Sequence, residues 1–395
     1  MNSNSHSDNN VFILGVGSTP IGEHWDLSIR ELALEAIVAA RSEVPDIRPE
    51  ALYVANMLSP ALSGQTQLGA LLADFAGLWG VEAMTVEAAG ASGGVALRQA
   101  YLAIKSGQIQ TALVVGIEKV TDQTGPRVDA ALATSTDADY EAIQGITPTA
   151  QAALIMRRYL HEYDAPPDAL AGFSINAHKN AVSNPKAMYR RAINLEQYQR
   201  APMISEPVNM FDAASIADGG AAIILGNGNS IPPNHNLPLV QVLASSVSTA
   251  AVALHDQPDL LNLKSAEESA AQVFQRAGLS PQDMDLFELH DPFSIIAALS
   301  LEAAGFAGQG EGWTLASDGE IQLNGRIPTC TLGGSKARGD AGGATGVIQI
   351  VETALQLQHL AGENQVQGAR IGMTQCLGGL IGTAATHILA RIERN

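Results

Sequence analysis

The chain is 395 residues long with 46% hydrophobic and 16% charged residues, and its 22 Lys and Arg against 40 Asp and Glu give a formal net charge of −18. At roughly 150 residues per domain this is two or three domains, enough for a large core without disulfide or metal staples. The acidic balance speaks against nucleic acid, whose phosphates need a concentrated basic face; two cysteines, Cys330 and Cys376, exclude a disulfide framework and a Cys-rich metal site and point to a reducing compartment.

Residues 1–10 are rich in Ser, Asn and Asp with no apolar stretch behind a basic start, which predicts a disordered tail, no signal peptide and a cytoplasmic protein. No apolar run reaches the roughly 18 residues that a membrane-spanning helix requires. Aliphatic runs at 11–17, 51–57, 84–88 and 111–120 predict strands. Between them, 28–44, 67–77 and 92–107 carry apolar residues at helical spacing, so this part reads as β-α-β units around a buried parallel sheet. From 121 to 210 the rhythm breaks: Gln, Asn, Pro, Arg and Tyr become frequent, with one clear helix at 149–163, which predicts an inserted, mostly surface-lying region. A strand at 221–225, a Pro-rich break at 231–238 and a strand at 239–248 open a second α/β half, with helices at 265–277 and 294–304 around a strand at 286–289.

A weak internal repeat links the halves. Ala89-Gly90-Ala91-Ser92-Gly93-Gly94 leads into the helix 95–107, and Gly339-Asp340-Ala341-Gly342-Gly343 leads through Gly346 into the helix 347–360. Glycines at a helix start let backbone amides approach an anion, and close packing of helix on strand explains them at least as well.

These segments together resemble the thiolase superfamily, specifically the sterol-carrier-protein-type and archaeal-like thiolases that work beside an OB-fold partner. The residues that carry the resemblance are Val86-Glu87-Ala88-Ala89-Gly90 with the following Ser92-Gly93-Gly94, Gly116-Ile117-Glu118-Lys119, Asp218-Gly219-Gly220, His290-Asp291-Pro292-Phe293, Gly333-Gly334-Ser335-Lys336-Ala337-Arg338-Gly339 and Cys376-Leu377-Gly378. The resemblance implies an α/β fold in which two similar β-α-β-α-β halves, 11–120 with 211–237 and 238–395, form a five-layered α-β-α-β-α sandwich with a loop domain at 121–210. It implies a coenzyme A thioester as substrate with no covalently bound cofactor, a homodimer with 84–88 or 111–115 near the contact, and an OB-fold, zinc-ribbon partner protein.

The resemblance also implies four catalytic positions. The nucleophilic cysteine belongs at a strand-to-helix turn, where the helix start favours the thiolate; here that position is Gly90, and Ser92 two residues on is a packing serine. The donor to the thioester oxygen matches His290. The histidine that would activate the nucleophile is replaced by Asp340, which reads equally as a helix N-cap and as a functional group. The cysteine that moves a proton on the carbon beside the thioester matches Cys376, with Gly378 and Gly379 offering backbone donors for an oxyanion. Cys330, His161, His178 and His387 read as structural.

Without a nucleophile an acyl-enzyme is not expected. The remaining apparatus suits non-covalent carbon–carbon bond cleavage or formation of retro-aldol type, in which Asp340 or His290 takes a hydroxyl proton, Cys376 handles the carbon proton and Gly90 leaves room for a branched acyl chain. Two alternatives stand beside it: an inactive subunit that holds acyl-CoA or a partner, and an acyltransferase with an atypical nucleophile. An acidic chain that binds CoA needs a local positive patch, and Lys179, Arg190, Arg191, Lys336 and Arg338 are its expected members.

Overall fold

The structure, a computed structural model, describes residues 10–393. The expectation for residues 1–10 therefore lies, Asn10 aside, outside the described residues.

The chain runs through β1 (Val11–Ser18), α1 (Ile29–Ser42), β2 (Ala51–Ala55), α2 (Ser59–Leu62), α3 (Leu68–Phe75), β3 (Glu82–Val86), α4 (Ser92–Lys105) and β4 (Thr111–Glu118). There follow α5 (Gly125–Ala133), α6 (Pro148–Glu162), α7 (Ala171–Ala181), α8 (Leu195–Gln199), the short β5 (Met203–Ser205) and β6 (Val208–Asn209), and β7 (Gly219–Asn227). The second half holds β8 (Leu239–Thr249), α9 (Lys264–Ala277), β9 (Leu286–Leu289), α10 (Ser294–Ala303), α11 (Gly312–Ser317), α12 (Thr345–Leu357), β10 (Ile371–Gly378) and β11 (Thr383–Ile392). Local sequence explains many boundaries. Ser28 and Glu31 form a reciprocal capping box that starts α1, and its buried Ile29, Leu32, Ala33, Ala36 and Ile37 fall on one stripe. β4 is buried along its whole length, as its unbroken apolar run requires.

Nine strands pair in the order β3-β2-β4-β7-β1-β8-β11-β10-β9. The order contains its own repeat. β3, β2 and β4 are parallel and β4-β7-β1 antiparallel, while β9 and β10 are parallel and β10-β11-β8 antiparallel. Thr329, bridged in parallel to Phe287, stands where the second half has only the remnant of a fifth strand. The halves meet through Phe12 and Ile13 of β1 against Gln241 and Val240 of β8. α4 and α12 lie between the halves and touch strands of both, α1 covers the outer face of the first and α9 that of the second, so the layers run α-β-α-β-α. Gly93 shows how close the middle layer is: a Cβ there would lie 2.5 Å from the Val347 nitrogen. Gly93 and Gly346 thus serve contact between the two middle helices rather than packing of helix on strand.

The region 121–210 corrects an expectation. It carries four helices, because its polar residues are not all surface residues. α7 buries Asn176, Ala177, His178 and Asn180, and Asn176, Asn180 and Asn184 donate to the carbonyls of Thr329, Cys330 and Leu332. A helix whose buried face carries asparagines has little amphipathic contrast, so its period is faint in the sequence. A second correction concerns 111–115: β4 sits inside the sheet between β2 and β7, whereas β3 forms the free edge. Among the described residues no helix is long and apolar enough to cross a membrane.

Candidate active site

The parallel strands β3 and β9 each end in a turn that opens a helix, and crevices in α/β sheets form at such carboxyl ends. Gly90 lies in the turn before α4, and His290 lies between β9 and α10. Asp340 arrives from the second glycine-rich turn. Its backbone is fixed by two hydrogen bonds, from its own N–H to the Ser215 carbonyl (2.9 Å) and from the Ala217 N–H to its carbonyl (2.8 Å). The three residues line one cavity of about 260 Å³. Met57, Leu132, Ile204, Ile216, Phe293 and Leu380 make its wall largely apolar, and Asp129, Ser135, Thr147 and Thr149 add polar groups.

His290 and Asp340 face each other, with Nε2 and Oδ2 3.6 Å apart and both side chains largely buried. The Leu377 N–H donates to His290 Nδ1 at 3.3 Å, so the neutral ring carries its proton on Nε2, the nitrogen turned to Asp340. The other carboxylate oxygen, Oδ1, accepts from the Gly342 N–H and the Thr345 hydroxyl. Burial pushes the Asp340 carboxyl upward, but the facing His290 ring, with the Thr345 bond and the Arg338 charge, outweighs it and holds the group below its ordinary value. Asp340 thus caps the turn before α12 through one oxygen and presents the other, ionised, to the cavity.

Gly90 supplies no nucleophile and leaves little space for one: a Cβ here would lie 2.6 Å from the Leu377 carbonyl oxygen and 3.0 Å from His290 Cε1. Ser92 does not replace it, for its hydroxyl accepts from the Ala88 N–H and donates to the Ala89 carbonyl. Cys376 stands apart from the other expected residues. It is buried behind the site and absent from the cavity wall, with its thiol toward the Ala91 carbonyl (3.6 Å). Burial raises that thiol to about 12, and its Sγ occupies the space a Cβ on Gly94 or Gly346 would need. Gly379 borders the cavity, whereas Gly378 is pressed against the Ala88 carbonyl.

The expected cationic patch divides. Lys179, Arg190 and Arg191 are exposed. Lys336 and Arg338 are 2% exposed; Lys336 donates to the carbonyls of Asp212 and Asp291, and Arg338 pairs with Glu352. These two are structural cations, a correction that follows from the inward turn of residues 334–338. Cys330 is a small buried residue with φ +49°, a conformation in which asparagine is also tolerated. His178 bonds to the Arg191 carbonyl and His387 to Ser245, both away from the cavity.

Sequence reading missed Glu118. Fully buried at the end of β4, its carboxylate collects the N–H groups of Met57, Leu58 and Gly343 and the Asn56 amide. It ties the loop after β2 to the loop before α12, and so holds Met57 and Gly342 at the cavity wall. Thr147 caps α6, its hydroxyl accepting from the Ala150 N–H, and lines the cavity too, which nothing local in the sequence signals.

Residues 11–228 match the family profile "Thiolase, N-terminal domain" and residues 246–391 match "Thiolase C-terminal domain-like". The chain belongs to the thiolase family. It is similar to the acetyl-CoA acetyltransferase of Methanothermobacter thermautotrophicus, with 39% identity over 383 residues that span 96% of this chain and 99% of that protein. It is also similar to the 17-hydroxy-3-oxo-4-pregnene-20-carboxyl-CoA lyase of Mycobacterium tuberculosis, at 26% identity over 86% of this chain and 90% of the lyase. Among solved structures, the thiolase fold aligns with the Ltp2-ChsH2(DUF35) aldolase at a TM-score of 0.82 and 22% identity, over 99% of this chain and 100% of that one. The family thus contains both acyltransferases and lyases, and the nucleophile and activator positions implied by the resemblance hold Gly90 and Asp340 in this thiolase-family chain.

Proposed function

We propose that the protein acts on a CoA thioester and breaks or forms a carbon–carbon bond by a retro-aldol type of reaction, without an acyl-enzyme. The observation that carries this reading is the His290–Asp340 pair facing into a cavity where Gly90 offers no nucleophile. Asp340, held ionised, takes the proton of the substrate's 3-hydroxyl. The bond between the second and third acyl carbons then breaks, releasing an aldehyde or ketone and leaving the thioester enolate. The Nε2–H of His290 and the backbone at Gly379 stabilise its oxygen, and the proton held on Asp340 returns to the second carbon, so no external acid or base is consumed. This assigns the carbon proton to Asp340, because the Cys376 thiol lies outside the cavity. The likeness to the pregnene-carboxyl-CoA lyase supports it.

The assay is release of aldehyde or ketone from a panel of 3-hydroxyacyl-CoA thioesters, with and without a DUF35-type partner. Release that Asp340→Asn abolishes supports the reading; no release from any member overturns it. The acetyltransferase relative favours one other reading, acyl transfer through an atypical nucleophile. A stable acyl adduct seen by mass spectrometry after incubation with acyl-CoA would establish that instead.

Three association proposals accompany this function. Lys179, Arg190 and Arg191, exposed on the loop region, would meet the CoA phosphates. The free edge of β3, with Phe75, Trp79 and Met84 exposed nearby at 40%, 72% and 38%, would pair across a two-fold axis into a homodimer. An OB-fold partner is the counterpart suggested by the DUF35 component of the aldolase.

A further inference from the structure

The wall of the His290–Asp340 cavity is one-sided in charge. Apart from His290 its ionisable side chains are Asp129 and Asp340, and neither Lys nor Arg lines it. Nearby cations are engaged elsewhere: Lys119 pairs with Asp122 and Asp218, Lys336 donates to the carbonyls of Asp212 and Asp291, and Arg338 pairs with Glu352. Arg127 precedes Asp129 by two positions, which puts it on the other side of α5. Asp340 is tied by Gly342, Thr345 and His290, whereas Asp129 is exposed and, among the described residues, has neither a hydrogen bond nor an ion pair. Its carboxylate is therefore free to act on whatever fills the cavity.

The polar groups that share this wall are neutral. The Thr147 hydroxyl accepts from the Ala150 N–H and keeps its proton to donate, while the Ser135 hydroxyl donates to the Leu132 carbonyl and keeps its lone pairs to accept. The start of α6 offers little to an anion, because Pro148 has no N–H and those of Ala150 and Gln151 are taken by Thr147. A hydroxyl or carbonyl on an acyl chain thus finds partners here. A carboxylate would shed water against Met57, Leu132, Ile204 and Phe293 and meet two charges of its own sign with no cation to offset them. Asp129, Leu132 and Ser135 come from α5 and the turn after it, a different wall from Ala213 and Ala214, which adjoin the Ser215 hydroxyl bonded to Tyr189 beside Arg190. With the CoA phosphates at Arg190 and Arg191, Asp129 meets the acyl chain.

We infer that Asp129 sets the substrate class of this cavity, admitting acyl groups without negative charge and rejecting those that end in a carboxylate. This rests on the reading that the cavity holds the acyl part of a CoA thioester, and it does not depend on the carbon–carbon bond chemistry.

Calorimetric titration of the full chain with hexanoyl-CoA and, separately, with adipoyl-CoA tests it. The two acyl chains are equally long and differ in the terminal carboxylate, and neither carries the 3-hydroxyl that would allow turnover. Adipoyl-CoA is expected to bind more weakly by about tenfold or more. Asp129→Lys should bring the two affinities to within about threefold or reverse their order. Glu35→Lys, the same change of charge at an exposed position of α1, should leave the ratio as it is in the parent. A thermal melt of each variant confirms folding, and the ratio in the parent decides if Asp129→Lys does not fold. Equal binding of the two thioesters by the parent, an unchanged ratio in folded Asp129→Lys, or an equal shift in Glu35→Lys would each overturn the inference and leave the CoA reading in place. Binding of neither thioester would overturn both.

Discussion

At residue scale the site turns on three side-chain identities, and each gives a testable expectation. Asp340→Asn preserves shape and removes the base, so turnover of a 3-hydroxyacyl-CoA should fall by about 10²- to 10⁴-fold with thioester binding retained, measured by product release and by calorimetry. Gly90→Cys restores the atom that the resemblance assigns to the nucleophile but must displace the Leu377 carbonyl, 2.6 Å from any Cβ. It should lose about 1–3 kcal/mol in a urea titration and gain no thiolysis. Cys330 and Cys376 are both buried, and burial raises the Cys376 thiol to about 12. A disulfide reagent at pH 8 should therefore find no fast thiol in the native protein and two after unfolding; a fast native thiol would show that the Cys376 side chain reaches solvent. His290 and Asp340 were legible because their motifs are contiguous. The Cys376 motif looked equally good, but its direction depends on a strand: in β10 successive side chains alternate, and the register with β11, Cys376 opposite Ala385, turns the thiol toward α4 while the Leu377 N–H meets His290.

At the scale of elements, the ends of β4 and β7 are held together by one buried carboxylate. Asp218, fully buried, accepts from Val120 and Thr121 of the segment after β4, from the Thr121 hydroxyl and from Lys119, itself 2% exposed at its side chain. Asp218→Ala leaves Lys119 its bond to the half-exposed Asp122 but strands the N–H groups of Val120 and Thr121, so it should cost about 2–4 kcal/mol in denaturant unfolding. Burial raises the Asp218 carboxyl, yet the bonds from Thr121, Val120 and Lys119 bring it below its ordinary value of 3.8. A carboxyl depressed in the folded state adds stability that is complete above its unfolded value and lost as pH falls through the lower folded one. Acid unfolding below pH 3.8 should consequently be less steep in Asp218→Ala than in the parent. Of the elements themselves, α1 and β4 were readable from caps and apolar runs. α7 was not, because its asparagines serve the carbonyls of 329–332, a contact some 150 residues away in sequence.

For the whole molecule, the free edge of β3 carries the association prediction. Replacing Trp79 and Met84 together by Asp should convert a dimer to a monomer in sedimentation velocity; unchanged sedimentation of a dimeric parent would place the interface elsewhere. The sequence alone determined the family, the α/β class, the two-part repeat and the identity of the facing pair, since these rest on short contiguous motifs and on period. Only the tertiary structure decided which of those motifs share a cavity. It set Cys376, Lys336 and Arg338 behind the site and Glu118 beneath it, and left β3 and not β4 at an edge. The reason is physical: a motif specifies a turn and a residue type, but the direction of a side chain and the company it keeps come from strand register and from helices packed between two halves distant in sequence.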